Sequence, residues 1–422
     1  MPIDKQMLKS IIIDRRDIIE QLTFVSRKIE IEDSIPTILV GVRRCGKSYL
    51  LYQKMFELIK AGHAWDEFLY VNFEDERLIG FEINDLQMLI EAHYATSKKD
   101  PILFLDEIQL INGWEKFARR MADEKRNIYI TGSNAKMLSR EMEASLGGRF
   151  IAIQVFPYSF SEFLSSKQVG WTDNMILSLK GKTELITLFE EYFYYGGFPE
   201  LSRINGKRDY LSSIYNKIYL GDIVLRYKLT NAYALEIMMK KIAETIRQPI
   251  SYSRLTNVVA AVGVSVGKST IIQYLEYAKE AQIIFKLENF GSKLVEKASN
   301  PKYYFIDQGL LNLFVLDADT ALLENIVAIQ LIKKHSEQRV YYYQNNIEVD
   351  FYIPDAKLAI QACYSMSDLS TREREVNALI SMAKHIEIER MMIITYDEES
   401  IIKLENLTIE VIPIWKWLLI ED

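Results

Sequence analysis

The chain has 422 residues, 49% hydrophobic and 26% charged, which excludes wholesale disorder and predicts roughly two to four domains. Two cysteines and four scattered histidines exclude a disulfide framework and a cysteine-based zinc site, and no apolar run reaches the roughly 18–20 residues of a membrane helix. The net charge of −7 is uneven: residues 201–300 hold 15 Lys and Arg against 8 Asp and Glu, a net of +7, leaving −14 for the other 322. A basic middle in an acidic chain points to a polyanionic partner, or is simply a solvated face. Met1-Pro2-Ile3-Asp4-Lys5 has no basic segment leading into an apolar stretch, so no secretory signal and no membrane association are expected. The expected location is the cytoplasm.

In chain order, short apolar runs at 37–40, 68–73, 102–105, 128–131 and 150–156 predict strands. They alternate with helical patterns such as 48–61 and 86–94, which predicts an α/β domain with a parallel sheet covered on both faces. Residues 158–227 read as mostly helical, broken at Gly196-Gly197-Phe198-Pro199. Residues 231–316 read as three helices (233–246, 253–260, 269–281) and then two strands (283–287, 303–306), the outline of a winged helix. The last hundred residues return to mixed α/β, with strands expected at 340–343, 349–353, 359–363 and 391–395.

Gly41-Val42-Arg43-Arg44-Cys45-Gly46-Lys47-Ser48 fits G-x-x-x-x-G-K-[ST] without a mismatch, between the first strand and a helix. Glycines let such a loop wrap closely around phosphates while backbone N–H groups and the helix N-terminus supply positive potential. Lys47 is expected on the β- and γ-phosphates of ATP and Ser48 on Mg2+. Asp106 and Glu107 close an apolar strand 59 residues after Lys47, at the sheet edge where doubly wound folds bind ligands. Asp106 is expected to hold Mg2+ through water, and Glu107 to orient or deprotonate the attacking water. After the strand at 128–131, Asn134 or Ser133 is expected to reach between the γ-phosphate and that water, or else to cap the helix that follows. Arg43 and Arg44 are candidates for phosphate contact or for pairing with Glu74 and Asp75.

Gly263-Val264-Ser265-Val266-Gly267-Lys268-Ser269-Thr270 imitates a second phosphate loop, but Val262 stands at the first glycine position. A turn with Ser269 or Thr270 capping the next helix is the better reading. That helix would enter a major groove if the domain binds DNA. Glu276 and Glu280 within it leave protein docking as the alternative.

Together, Gly41 to Ser48, Asp106-Glu107, Thr131-Gly132-Ser133-Asn134 and Leu146-Gly147-Gly148-Arg149 resemble the prokaryotic AAA-type ATPases of the extended AAA+ superfamily. Residues 156–163, Gly196 to Glu200, Ile306 to Leu310 and Glu348 to Phe351 extend the resemblance over nearly the whole chain. It implies that Arg149 reaches a neighbouring subunit's γ-phosphate in a homo-oligomer; otherwise Arg149 is an ion pair anchoring the strand beginning at Phe150. Glu324, Asp350 and Gln361-Ala362-Cys363 resemble a restriction-endonuclease-like core, with Gln361 at the second acid and Cys363 at the lysine. Such a set is expected to cut nothing, because metal-assisted cleavage needs two acids and a fixed positive charge.

The resulting expectation is a doubly wound P-loop ATPase domain (1–158), a helical connector (159–230), a winged helix (231–318) and a degenerate nuclease-like domain (319–422). The expected activity is Mg-dependent ATP hydrolysis driving a DNA-associated motor or switch. The alternative is a signalling or scaffold protein whose C-terminal domains bind another protein.

Overall fold

The computed structural model describes residues 3–293, 299–316, 318–404 and 407–421, which fall into two compact units, Met1–Phe156 and Pro157–Asp422. In the first, β1 (Thr37–Gly41), β2 (Phe68–Asn72), β3 (Ile102–Asp106), β4 (Ile128–Gly132) and β5 (Ile151–Val155) form a parallel sheet. Its order is β2-β3-β4-β1-β5. Burial on both faces explains why β1 to β4 read as unbroken apolar runs.

The two faces differ in chemistry. Ile38, Val40, Leu69, Val71, Leu103, Leu105, Ile128 and Ile130 make an aliphatic face that packs with Leu8, Ile11 and Ile12 of helix Lys5–Glu20 and Leu89 of helix Leu86–Tyr94. The other face is aromatic: Phe68 meets Phe104 edge-on, Phe104 stacks on Tyr129, and Tyr70 meets Tyr52 of helix Lys47–Lys60. The expected α/β, doubly wound architecture is present.

The second unit begins with a helical stretch that includes Phe160–Ser166, Leu179–Tyr195 and Lys207–Asn216. Helices Ala232–Glu244, Tyr252–Ala261 and Lys268–Glu280 follow, and then β6 (Ile284–Asn289) antiparallel to β7 (Lys302–Phe305). The cap expected of Ser269 or Thr270 is absent: the helix starts one residue earlier, at Lys268, with Gly267 as its N-cap and no side-chain hydrogen bond there. The turn reading of this segment stands; its polar residues lie inside the helix.

The remaining strands are β8 (Tyr341–Gln344), β9 (Glu348–Ile353), β10 (Leu358–Ala362), β11 (Arg390–Thr395), β12 (Ser400–Leu404) and β13 (Leu407–Pro413). They join β6 and β7 in one mixed sheet, β12-β13-β11-β10-β9-β8-β6-β7. The division expected at 318/319 therefore does not interrupt the sheet, because β6 pairs parallel to β8 through Glu288–Tyr341 and Asn289–Tyr342. Helix Asp319–His335 is buried continuously from Ala321 to Ile332.

Gly196, Gly197 and Asp307 form one joint. A side chain at Gly196 (φ 81°) would collide with the Asp307 carboxylate, and one at Gly197 with the Tyr158 carbonyl. Asp307 accepts hydrogen bonds from the backbone N–H groups of Gly197 (2.8 Å), Gly309 (2.9 Å) and Leu310 (3.3 Å).

Candidate functional site

The loop from β1 to helix Lys47–Lys60 is held tightly. A Cβ on Gly41 would collide with the Val155 carbonyl oxygen of β5 and with Cys45 Sγ, so only glycine fits. Arg44 (φ 65°) and Gly46 (φ 99°) take left-handed backbone, the kind of curvature that turns successive N–H groups toward one side. Val42 and Cys45 are fully buried. Arg27 clamps the loop from outside, donating to the carbonyls of Cys45 and Phe156, each at 3.0 Å. Arg43 pairs with Glu74 at 2.5 Å, while Asp75 takes Arg15 and Arg77.

Lys47 is buried, and its Nζ donates to the carbonyls of Gly41 (2.9 Å) and Val42 (3.2 Å) and lies 3.5 Å from Glu107 Oε1. Burial works against its charge, but Glu107, Cys45 and Asp106 outweigh it and hold the ammonium above its ordinary pKa.

Asp106 is completely buried at the end of β3. It accepts hydrogen bonds from Tyr70 (2.8 Å), from Thr131 and from Ser48. Burial, helped by the Glu107 charge, pushes its carboxyl up. Glu107 takes left-handed backbone (φ 56°, ψ 40°), unusual for a residue with a side chain, and its N–H donates to Thr131 Oγ1 at 2.9 Å. Burial pushes Glu107 upward too, but Lys47 and the Gln109 amide outweigh it and leave the carboxyl below its ordinary value.

The structure thus brings together Lys47, Ser48, Asp106, Glu107 and Thr131. Ser133 joins through Gln109, whose Nε2 lies 2.5 Å from Glu107 Oε2 and 3.2 Å from Ser133 Oγ. Asn134 instead caps the turn Ala135–Leu138, accepting from the Lys136 N–H at 2.9 Å, the other of the two roles open to it. Arg149 pairs with Asp123 at 2.5 Å and donates to the Gly147 carbonyl at 3.1 Å, an ion pair beside the start of β5. Gln109 was not singled out from sequence; its one signal was adjacency to the acid pair.

The second unit has a second polar cluster, beside a cavity of about 670 Å3 lined by Arg247, Glu324, Glu348, Asp350, Gln361 and Glu375, among others. Lys302 of β7, fully buried, places Nζ 2.9 Å from Glu348, 3.3 Å from Glu324 and 3.4 Å from Asp350. Cys363 packs in the apolar core, its thiol donating to the Ser365 carbonyl and pushed up to about 11 by burial. A cation is therefore present near these acids, but it comes from a distant strand. The alternation of Lys302 and Tyr304 on one strand face was the available signal, since both reach Glu324.

Comparison with known proteins identifies the first unit. Residues 33–164 match the AAA domain family, and residues 186–321 match a domain of unknown function, DUF8612. An uncharacterized protein of Methanocaldococcus jannaschii, MJ1544, is 34% identical, covering 98% of this chain and 96% of its own length. The chain belongs to the same family as that archaeal protein. An uncharacterized protein of Haemophilus influenzae is 31% identical over 75% of this chain and 79% of its own. Distant likenesses among solved structures include the Walker-type ATPase PABY2304 of Pyrococcus abyssi (TM-score 0.38, 15% identity, 66% of this chain and 90% of that one). Another is Cdc6p from Pyrobaculum aerophilum (TM-score 0.26, 16% identity, 68% and 92%). The family match bears out the AAA-type P-loop domain expected from Gly41 to Ser48. Among the described residues no helix is long and apolar enough to cross a membrane.

Proposed function

We propose that this protein hydrolyses ATP to ADP and phosphate with Mg2+, and acts in the cytoplasm as a nucleotide-driven motor or switch associated with DNA. The observation that carries this reading is the buried cluster of Lys47, Asp106 and Glu107 under the Gly41 loop. A buried ammonium, an all-oxygen pair of Asp106 and Ser48, and a cradle that admits no Cβ suit a phosphate chain with a hard cation. Gly41, Val42, Arg43, Arg44, Cys45, Gly46, Lys47 and Ser48 would bind the nucleotide, with Ser48 and Asp106 serving the metal. Bound Mg2+ would neutralise charge developing on the β- and γ-phosphates. Glu107 would orient and deprotonate the attacking water, Ser133 or Asn134 would reach toward the γ-phosphate, and Arg149 would exchange Asp123 for a neighbouring subunit's nucleotide.

The basic stretch 201–300 and a winged-helix reading of 231–318 support DNA as the partner. Exposed Glu276 on helix Lys268–Glu280 favours the second reading, a protein partner for a signalling or scaffold ATPase. The C-terminal cluster is read as non-cutting, with the Lys302 ammonium among Glu324, Glu348 and Asp350 competing for the place a divalent cation would need. One experiment separates these readings. ATP turnover is measured with and without duplex DNA across salt concentrations, with Lys47→Ala as the non-binding control. Stimulation that collapses as salt rises, with the DNA recovered intact, supports the DNA reading. Turnover indifferent to DNA supports the protein partner.

A further inference from the structure

The proposed hydrolysis needs Glu107 to present one oxygen to water in one direction, and the structure holds the two oxygens differently. Oε1 faces Lys47 Nζ at 3.5 Å, whereas Oε2 accepts from Gln109 Nε2 at 2.5 Å. The Gln109 amide is itself fixed. Its second Nε2 hydrogen is directed to Ser133 Oγ at 3.2 Å, and a carboxylate neighbour requires the nitrogen, not the oxygen, on that side. Its Oε1 is buried and has no hydrogen-bond partner among the described residues. That oxygen lies against Gly132 at the end of β4, where any Cβ would press on it and on the Met137 sulfur. A buried acceptor without a protein partner is uncommon and calls for an explanation, a water molecule or a functional role among them.

We propose that Gln109 is the positioning residue that binds Glu107 Oε2 and leaves Oε1 as the one oxygen able to take the proton from the attacking water. The inference rests on the ATPase reading above and names how its base is aimed. When Lys47 donates to phosphate instead of the loop carbonyls, Oε1 loses its cation while Oε2 keeps its amide. The water oxygen then bonds to the terminal phosphorus, the bond from that phosphorus to its bridging oxygen breaks, and ADP leaves with the electron pair. The water proton passes to Glu107 Oε1 and afterwards to solvent. Thr131 completes the support, since its Oγ1 accepts the Glu107 N–H and its hydroxyl donates to Asp106. The backbone of Glu107 is thereby fixed by Thr131 near the end of β4, and its side chain by Gln109 in the turn Ile108–Leu110 that follows β3.

The test is steady-state ATP hydrolysis, kcat and KM separately, for the wild type, Gln109→Leu, Gln109→Glu and Glu107→Gln, with nucleotide affinity measured on each. Gln109→Leu keeps the bulk and removes both donors. The expected result is an unchanged KM within about twofold and a kcat lower by about 10- to 100-fold. Gln109→Glu, close in shape, should likewise lower kcat at unchanged KM, because it faces Glu107 with a second carboxylate instead of an amide donor. It also serves if Gln109→Leu fails to fold. Either Gln109 variant with wild-type kcat, while Glu107→Gln is inactive, overturns the positioning role and leaves the ATPase reading intact. Full activity in Glu107→Gln overturns both.

Discussion

Asp307 shows how much one buried carboxyl can carry. Three backbone donors hold it against the Gly196-Gly197 turn, yet burial dominates and pushes it up to about 6. The folded state thus keeps its proton at pH values where an exposed aspartate has lost it. A folded pKa above the unfolded one gives stability that is full at low pH and is lost as pH rises toward 6. The second unit should therefore gain roughly 2–3 kcal/mol from this group near pH 4 relative to pH 7. Asp307→Asn should flatten the curve of unfolding free energy against pH between pH 4 and 7 by that amount, read by urea denaturation. It should also cost about 1–2 kcal/mol at every pH, because one carbonyl cannot replace two carboxylate oxygens. A parallel displacement of the whole curve would show that Asp307 does not titrate there. The sequence displayed Asp307 and both glycines as a pattern, but the carboxylate-to-glycine contact spans 110 residues and has no local signature.

Elements were legible where one rule governs their pattern. The strands feeding the nucleotide site, buried on both faces, appear as apolar runs ending at Gly41, Asp106 and Thr131-Gly132, so the edge holding Lys47, Asp106 and Glu107 followed from periodicity. Ser400–Leu404 was not legible, because an edge strand exposed almost throughout shows no apolar alternation. Helix Asp319–His335 is buried all round and so has no amphipathic stripe. β7 hid its significance differently. In Lys-Tyr-Tyr-Phe the lysine reads as a strand-end charge, yet it is the buried counter-ion of Glu324. Removing one partner of a buried pair leaves an uncompensated charge, so Lys302→Met should destabilise the second unit by about 3–5 kcal/mol. Glu324→Gln in the same chain should restore much of that loss, a coupling that urea denaturation of the two single variants and the double variant would read. Additive losses would mean that the two residues are not an energetic pair.

At the scale of the whole molecule, the proposed action between subunits turns on Arg149. Its guanidinium is committed to Asp123 and the Gly147 carbonyl within the chain, so a role between subunits requires it to exchange partners. Mixing inactive Lys47→Ala with inactive Arg149→Ala should restore part of the turnover, each variant supplying what the other lacks. No recovery in mixed oligomers would assign Arg149 to the ion pair alone. The turnover expectations depend on one proposed chemical act, water activation by Glu107, and one comparison tests it most directly. Phosphate release from ATP with Mg2+ is measured for the wild type and for Glu107→Gln at matched nucleotide occupancy. The account predicts equal binding, with turnover lower by at least about 100-fold in the variant. Equal turnover at equal occupancy would contradict it.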